Sequence, residues 1–272
     1  MALLDDAICP NCDAHHSGAY CPTCGQKRPA VSDLSASRFI ADVFEAVTNT
    51  ESKLLRTLRA LLLAPGRLTL DYFQGKRQRY LKPVQLFVAC NVWFFLMQSV
   101  TGFNTFTTPL GVQLNGLPYS PLVKATVFRI YSASGLSEQV FASKFNAISA
   151  DLAKTLIFVM LPLFALILLP LLWKRGFSYG QHLIFAAHLY SFLLVVMPLV
   201  QLFGRLMTMR QLDVIVAVAV GVYGFLAVRR TYGFRSLTSV GLTVLVLIDL
   251  GLVVMAYRFL LLVASLISMP RP

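Results

Sequence analysis

The run from Val240 to Ala264 constrains the fold most, because it is long and apolar and carries only two charged residues, Asp249 and Arg258. A helix needs about 20 mostly apolar residues to cross the hydrocarbon core of a bilayer. Thr155–Trp173 and Leu183–Phe203 meet the same requirement. Two further runs are weaker. Val84–Val100 is interrupted by Gln85, Cys90, Asn91 and Gln98, and Leu212–Val228 is short, with Asp213 near one end. A re-entrant or interfacial helix is the alternative for each of these. Composition agrees with the five-run reading: 57% of the 272 residues are hydrophobic and 13% are charged, against about 25% charged in ordinary soluble domains. The expected fold class is an all-α polytopic membrane protein of about five transmembrane helices.

The N-terminal region does not read as a leader, because Asp5 and Asp6 stand where a signal peptide is basic. Its side of the membrane follows from charge. Eleven of the 24 Lys and Arg residues precede the first run. With that region inside, the loops holding Lys174, Arg175, Arg229, Arg230 and Arg235 are also inside. Lys124, Arg129, Lys144, Lys154, Arg205, Arg210 and Arg271 are left outside. Basic residues collect on the cytoplasmic face, so the expected topology is N-terminus in and C-terminus out. The net charge of +12 is accounted for by this asymmetry, and no nucleic-acid partner is expected.

The stretch "ICPNCDAHHSGAYCPTCGQKRP" carries two Cys-x-x-Cys turns, Cys9/Cys12 and Cys21/Cys24, eight residues apart. Each turn presents two thiolates inward, and together they complete a four-sulfur tetrahedral site whose usual occupant is zinc. A disulfide pair would need an oxidising compartment, and a redox dithiol would need only one motif. His15 and His16 lie between the turns and are redundant as ligands. Gly25 follows the last cysteine, where the chain turns through a positive backbone angle. A closed site of this kind is structural and couples metal binding to folding. The zinc ribbon is expected to span 1–28. Cys90, in the first run, reads as a small buried hydrophobe.

From 29 to 83 the chain reads as a polar linker over Pro29–Ser37, an amphipathic helix, and a basic juxtamembrane segment. Phe39, Ile40, Val43, Phe44 and Val47 share one face, and the pattern resumes with Leu54, Leu55, Leu58, Leu61 and Leu62. That apolar face can lie in the membrane interface or pack on the protein's own spans. Pro65-Gly66 ends the helix. Lys76, Arg77, Arg79 and Lys82 then stand directly before the first span, among Tyr72, Phe73 and Tyr80. They read as a topology anchor and, more sharply, as a candidate anionic-lipid headgroup site.

"CPNC…YCPTCGQ", "LLLAPGRLTLDYFQGKRQRYLKPVQLF", "HLIFAAHLYSFLLV" and "YGFLAVRRTYG" occur in this order. Together they resemble the bacterial zinc-ribbon membrane proteins of the domain-of-unknown-function 3667 family. The resemblance covers nearly the whole chain. It implies an integral inner-membrane protein with a cytoplasmic zinc ribbon, and it implies no reaction.

The remaining domain, 84–272, holds the five spans and an outer segment at 101–154. Asn115-Gly116 suggests a tight turn there. Phe141, Phe145, Ile148, Leu152 and Leu156 then form a stripe that enters the second span without a break. One helix from Glu138 to Trp173 would be about 54 Å long, with Pro162 and Pro170 as sites of bending. Inside the spans, Asn91, His188, Asp249 and Arg258 are the candidate polar site. Charged groups at such depth face the bundle interior and seek partners. His182 and His188 diverge on their helix, Asp249 and Arg258 lie on opposite faces of theirs, and a His188–Asp249 contact fits in depth.

No nucleophile elbow, phosphate-binding glycine loop or metalloprotease motif is found. The expected function is therefore non-enzymatic, with the ribbon binding a cytoplasmic protein partner or ordering the N-terminal region. The alternatives are a small oligomeric transporter that uses Asn91, His188 and Asp249, and a lipid-active membrane enzyme.

Overall fold

The structure is a computed structural model and describes residues 7–27, 51–102, 106–203 and 209–269. The linker Pro29–Ser37, the stripe Phe39–Val47 and the acids Asp5 and Asp6 lie outside the described residues.

The ribbon is two small tongues. Strands β1 (Ala7–Ile8) and β2 (His15–His16) pair antiparallel, Ala7 opposite His16, and a bridge joins Tyr20 to Lys27. The rest is helical. Helix α1 (Glu51–Leu63) and the short α2 (Arg67–Phe73) meet at the Pro65-Gly66 corner. Helix α3 (Pro83–Thr101) is the first span. Pro83 starts it where a missing N–H costs nothing, and Gly102, at φ 72°, ends it.

At the far end of α3 stand α4 (Leu110–Asn115), α5 (Ser120–Ala133) and α6 (Glu138–Leu156). This outer segment, expected as a loop followed by a helix, carries two further helices ahead of that one and forms a helical cap. Asn115-Gly116 closes helix α4; it does not form a hairpin turn. The stripe of α6 does pack inward: Phe141 and Phe145 are fully buried with Leu110, Val127, Leu262 and Met269.

The long helix expected from Glu138 exists, and it tightens on the way. After α6 comes a 3₁₀ turn at Ile157–Val159, then α7 (Met160–Leu172) and a second 3₁₀ turn at Trp173–Arg175. Pro162 gives the reason. Its ring crowds the carbonyl four residues earlier, at Phe158, within the first 3₁₀ turn.

Helices α8 (Tyr179–Phe203), α9 (Met209–Tyr232) and α10 (Ser236–Ile267) complete the bundle. Five helices among the described residues are long and apolar enough to cross a membrane: Pro83–Thr101, Glu138–Arg175, Tyr179–Leu202, Val214–Tyr232 and Ser236–Ile267. Both weaker runs therefore lie in full-length helices. The chain is a helical membrane protein.

Helix α8 is the central post. It packs against α3, α7 and α9 and receives α1 and α2 at one end. Its small residues Ala186, Ala187 and Ser191 are buried, which allows close helix approach. The outward faces are apolar, with Val214, Val218 and Val222 exposed on α9 and Val244, Ile248 and Leu252 on α10. In water such faces would be costly; against lipid chains they are not.

Candidate metal centre and the juxtamembrane dock

The two knuckles repeat one backbone design. The Cys9 N–H donates to Ala14 O and the Asp13 N–H to Cys9 O; the Cys21 N–H donates to Gln26 O and the Gly25 N–H to Cys21 O, all at 2.8–2.9 Å. In each knuckle the fourth residue after the leading cysteine has a positive φ, 60° at Asp13 and 69° at Gly25. Gly25 was legible as such a position. Asp13 was not singled out, although aspartate tolerates that conformation better than most residues and its offset from Cys9 matches that of Gly25 from Cys21.

All four cysteines are free thiols, and their sulfurs lie within 4.8 Å of one another. Cys9 Sγ is 3.6 Å from Cys24 Sγ, and Cys12 Sγ is 3.5 Å from Cys21 Sγ. A tetrahedral ion with metal–sulfur bonds of about 2.3 Å sets its ligands roughly 3.8 Å apart. The sulfurs are thus already spaced for one ion, and the four cysteines could hold one.

Their protonation points the same way. Burial raises the Cys21 thiol, but the N–H groups of Cys24 and Thr23 and the thiols of Cys12 and Cys24 outweigh it and bring it down to about 6. The N–H of Ala14 lowers Cys12, but burial and the other three thiols outweigh it and push it up to about 12. Without an ion the cluster readily carries only part of the negative charge that four thiolates would, whereas a divalent cation stabilises all four.

The ribbon is seated on the connector between α2 and α3. Gln26 Nε2 donates to Gly75 O at 2.7 Å, and the Arg77 N–H donates to Gln26 Oε1 at 3.1 Å. One amide side chain thereby pairs with residues 75 and 77 as the backbone of a neighbouring strand would. Gly75, at φ 84°, brings its backbone against Pro10; an added Cβ would stand 3.2 Å from the proline ring. Gln26 was not singled out from sequence. Its one signal was a lone glutamine directly after the second knuckle.

The connector is fastened to the helices in turn. Thr57 Oγ1, fully buried, accepts the Leu81 N–H at 3.0 Å and donates to Lys53 O. Gly66, at φ 77°, abuts α9 so closely that a Cβ would meet Ala227 O at 2.7 Å. Arg230 Nη1 donates to Pro65 O at 2.9 Å. On the inward face of α1, Leu61 is buried and Leu54 and Leu58 pack on the core, while Leu55 and Leu63 remain exposed. The helix therefore packs on the spans with one face and keeps a second apolar edge outward.

The four basic residues proposed as a headgroup site have separate surroundings. Lys76 approaches Asp71 at 4.0 Å, with Arg67 on the same carboxylate at 3.6 Å. The Arg77 guanidinium stands over the Tyr72 ring at 4.9 Å, and that of Arg79 over Tyr80 at 5.6 Å. Lys82 is the residue before α3, and its backbone N–H donates to Gln85 Oε1 at 3.3 Å.

Among the described residues Asp249 shares no hydrogen bond with Asn91, His188 or Arg258. His188 Nδ1 shares a hydrogen bond with Thr69 Oγ1 at 2.9 Å, so the expected His188–Asp249 contact does not form. Helix α2 reaches beneath the corner to take that histidine. His182 pairs with Tyr232 at 3.0 Å. Asp249 is buried, and among the described residues neither of its carboxylate oxygens has a hydrogen-bond partner. The Tyr190 hydroxyl, within electrostatic reach of Asp249, and the Asn91 amide nitrogen are equally unpartnered there. Arg258 lies beside the outer cap, near Tyr119, and its backbone carbonyl accepts from Gln113. A cavity of about 10 Å³, roughly one water, is lined by His188 and Thr69 and by neither Asn91 nor Asp249.

No curated protein and no solved structure matches the chain. Residues 51–95, which are α1, the Gly66 corner, α2, the connector and most of the first span, match the family model described as Protein of unknown function (DUF3667).

Proposed function

We propose that this is a non-enzymatic protein of a bacterial inner membrane whose zinc-loaded ribbon clamps the juxtamembrane segment and sets the position of α1 and α2 on the bundle. The single observation that carries this reading is the paired hydrogen bonding of Gln26 to Gly75 and Arg77. It ties the fold of a metal-dependent module to the backbone just before the first span. Zinc is the ion favoured by four thiolates in tetrahedral spacing.

The basic residues beside the ribbon and at the α7–α8 and α9–α10 turns support placing this end in the cytoplasm and the end of α10 outside. Reporter fusions after Arg28 and after Pro272 should then report opposite sides. A protein partner would meet the ribbon where Ile8 and Tyr20 are exposed. Anionic lipid would meet the basic connector.

His188 is taken by Thr69 of α2, and neither Asn91 nor Asp249 lines the cavity beside it; this favours the clamp over a transporter that uses all three in one path. The test is hydrogen exchange on the full-length protein in nanodiscs, with and without chelator. Metal removal should deprotect the Arg77 amide and its neighbours in 74–78 along with the ribbon. Unchanged protection of 74–78 in the metal-free protein would show that the ribbon is no clamp.

A further inference from the structure

A surface cleft of about 420 Å³ opens between α1, the start of α2 and the connector, lined by Arg56, Arg59, Leu63, Arg67, Arg79 and Tyr80, with Ala60 and Ala64 at its floor. Its volume falls in the range of ligand sites, about 300–1,000 Å³. Arg56, Arg59 and Leu63 follow one another at helical spacings of three and four, so they share one face of α1. Thr57, between the two arginines, holds that face to the other wall through the Leu81 N–H.

Among the described residues the charge is poorly answered. Among the described residues Arg56 and Arg59 have no ion-pair partner. Asp71 serves Arg67 and Lys76. The four arginines come from three separate pieces of chain and line one space. Guanidinium forks suit phosphate oxygens in geometry as well as in charge. The cleft also sits at interfacial depth, because Arg79 and Tyr80 precede the first residue of the first span by only a few positions. Leu63 at its rim is exposed and continues the outward apolar edge of α1 through Leu62 and Leu55.

We infer that this cleft binds a phosphate group, and that its occupant is the phosphate of an anionic membrane lipid, with the lipid chain lying along the Leu55–Leu62–Leu63 edge. The site expected from sequence at Lys76, Arg77, Arg79 and Lys82 is thereby moved: Arg79 remains, and Arg56, Arg59 and Arg67 replace the other three. The inference is independent of the ribbon's role as a clamp.

The experiment is native mass spectrometry of the full-length protein, released from neutral detergent after titration with phosphatidylglycerol, with phosphatidylcholine of the same chains, or with inorganic phosphate. One phosphatidylglycerol should bind ahead of phosphatidylcholine. Its affinity should fall about tenfold or more in the double variant Arg56→Gln/Arg59→Gln, as expected for losing two charge-assisted contacts. The variant Lys174→Gln/Arg175→Gln removes the same charge from the same end of the bundle, outside the cleft, and should change affinity less than about twofold. Inorganic phosphate that displaces the lipid identifies the phosphate as the recognised group. Inorganic phosphate that binds where no lipid does overturns the lipid and leaves a soluble phosphate as the occupant. The melting temperature and metal content of the double variant serve as folding controls, and Arg79→Gln alone repeats the test from the opposite wall. Equal loss in the cleft and control variants, or none in either cleft variant, overturns the site.

Discussion

At the ribbon end of the bundle, α1, α2 and the connector are fastened by individual polar contacts: Thr57 to Leu81, Arg230 to Pro65, Thr69 to His188, and Gln26 to Gly75 and Arg77. At the opposite end, α4, α5 and α6 share a cluster of buried apolar side chains around Phe141, Phe145, Leu262 and Met269, with a few polar ties, Leu110 N–H to Asn146 Oδ1 and Gln113 Nε2 to Arg258 O among them. The first kind of closure is directional and, on the proposed reading, uses a metal-ordered ribbon to present one of its partners. The second is non-directional and depends on filled volume. The two ends should therefore fail under different insults, and that difference can be measured.

Metal removal is the strongest way to separate them. Cys21→Ser should empty a site whose apparent binding energy is on the order of 10–16 kcal/mol for structural zinc at neutral pH. One metal per chain should fall to none by elemental analysis, and protease cutting should begin within 7–27 while the outer cap keeps its protection. Acid should act similarly, because ligands must be deprotonated. Occupancy should therefore fall progressively as the pH is lowered, read by elemental analysis. Full metal content in the Cys21→Ser variant would rule the site out.

Phe145→Ala attacks the other end. Phe145 is fully buried, and such truncations cost about 3–5 kcal/mol. The melting temperature should fall with metal content unchanged. If the ribbon were released as well, the two ends would be one cooperative unit and the contrast would collapse.

Gly66→Ala tests the joint between α1–α2 and the spans. The new methyl would sit 2.7 Å from Ala227 O at a positive φ. Together these should cost about 2–4 kcal/mol. The expected sign is a lower melting temperature, with faster exchange in α1 and α2 and little change in α4–α6. Wild-type stability would mean that α9 does not stand so close to the corner.

Much of the contrast between the ends was legible in sequence, and its uneven legibility has physical causes. The spans announce themselves because hydrocarbon tolerates few polar residues over a fixed length. The four-sulfur site announces itself because chelation fixes both residue type and spacing. The α6 stripe was readable from its period. The dock was not, because Gln26, Thr57 and Thr69 are single polar residues whose partners lie distant in sequence, and a lone glutamine or threonine has no period. His188 shows the same limit. Depth made Asp249 a plausible partner, but depth does not report which helix faces which. The cleft was half readable: Arg79 stood out in a basic run, whereas Arg56 and Arg59 sit on the polar face opposite the Leu54–Leu62 stripe, and nothing in the sequence sets that face against the connector.

Gln26→Ala isolates the dock from the metal. It removes two hydrogen bonds while leaving every cysteine in place. The loss should be about 1–2 kcal/mol of docking energy, read as faster exchange at residues 74–78 with full metal occupancy. A variant that keeps those residues protected would show that Pro10 packing against Gly75 suffices. The Cys21→Ser result and this one together tell whether the metal acts through Gln26 or beside it.

The smallest expected effect lies between the two ends, at Asp249. Neither the polar fastenings of the ribbon end nor the apolar cluster of the outer end includes it. Its carboxylate is buried in the middle of α10 without a partner among the described residues. A buried polar group left unsatisfied costs about 1–3 kcal/mol, and replacing it by an apolar group of similar shape is often neutral or favourable. Asp249→Leu should therefore leave the melting temperature unchanged or raise it slightly, and Asp249→Asn should do little. A fall of more than about 1 kcal/mol in the leucine variant would reveal a hydrogen-bonded helix clamp of the usual membrane strength. Stability intact in both variants, with loss of rescue of a deletion strain in either, would show that the carboxyl is kept for what it does. The transporter reading would then regain the residue that the geometry has so far left without a role.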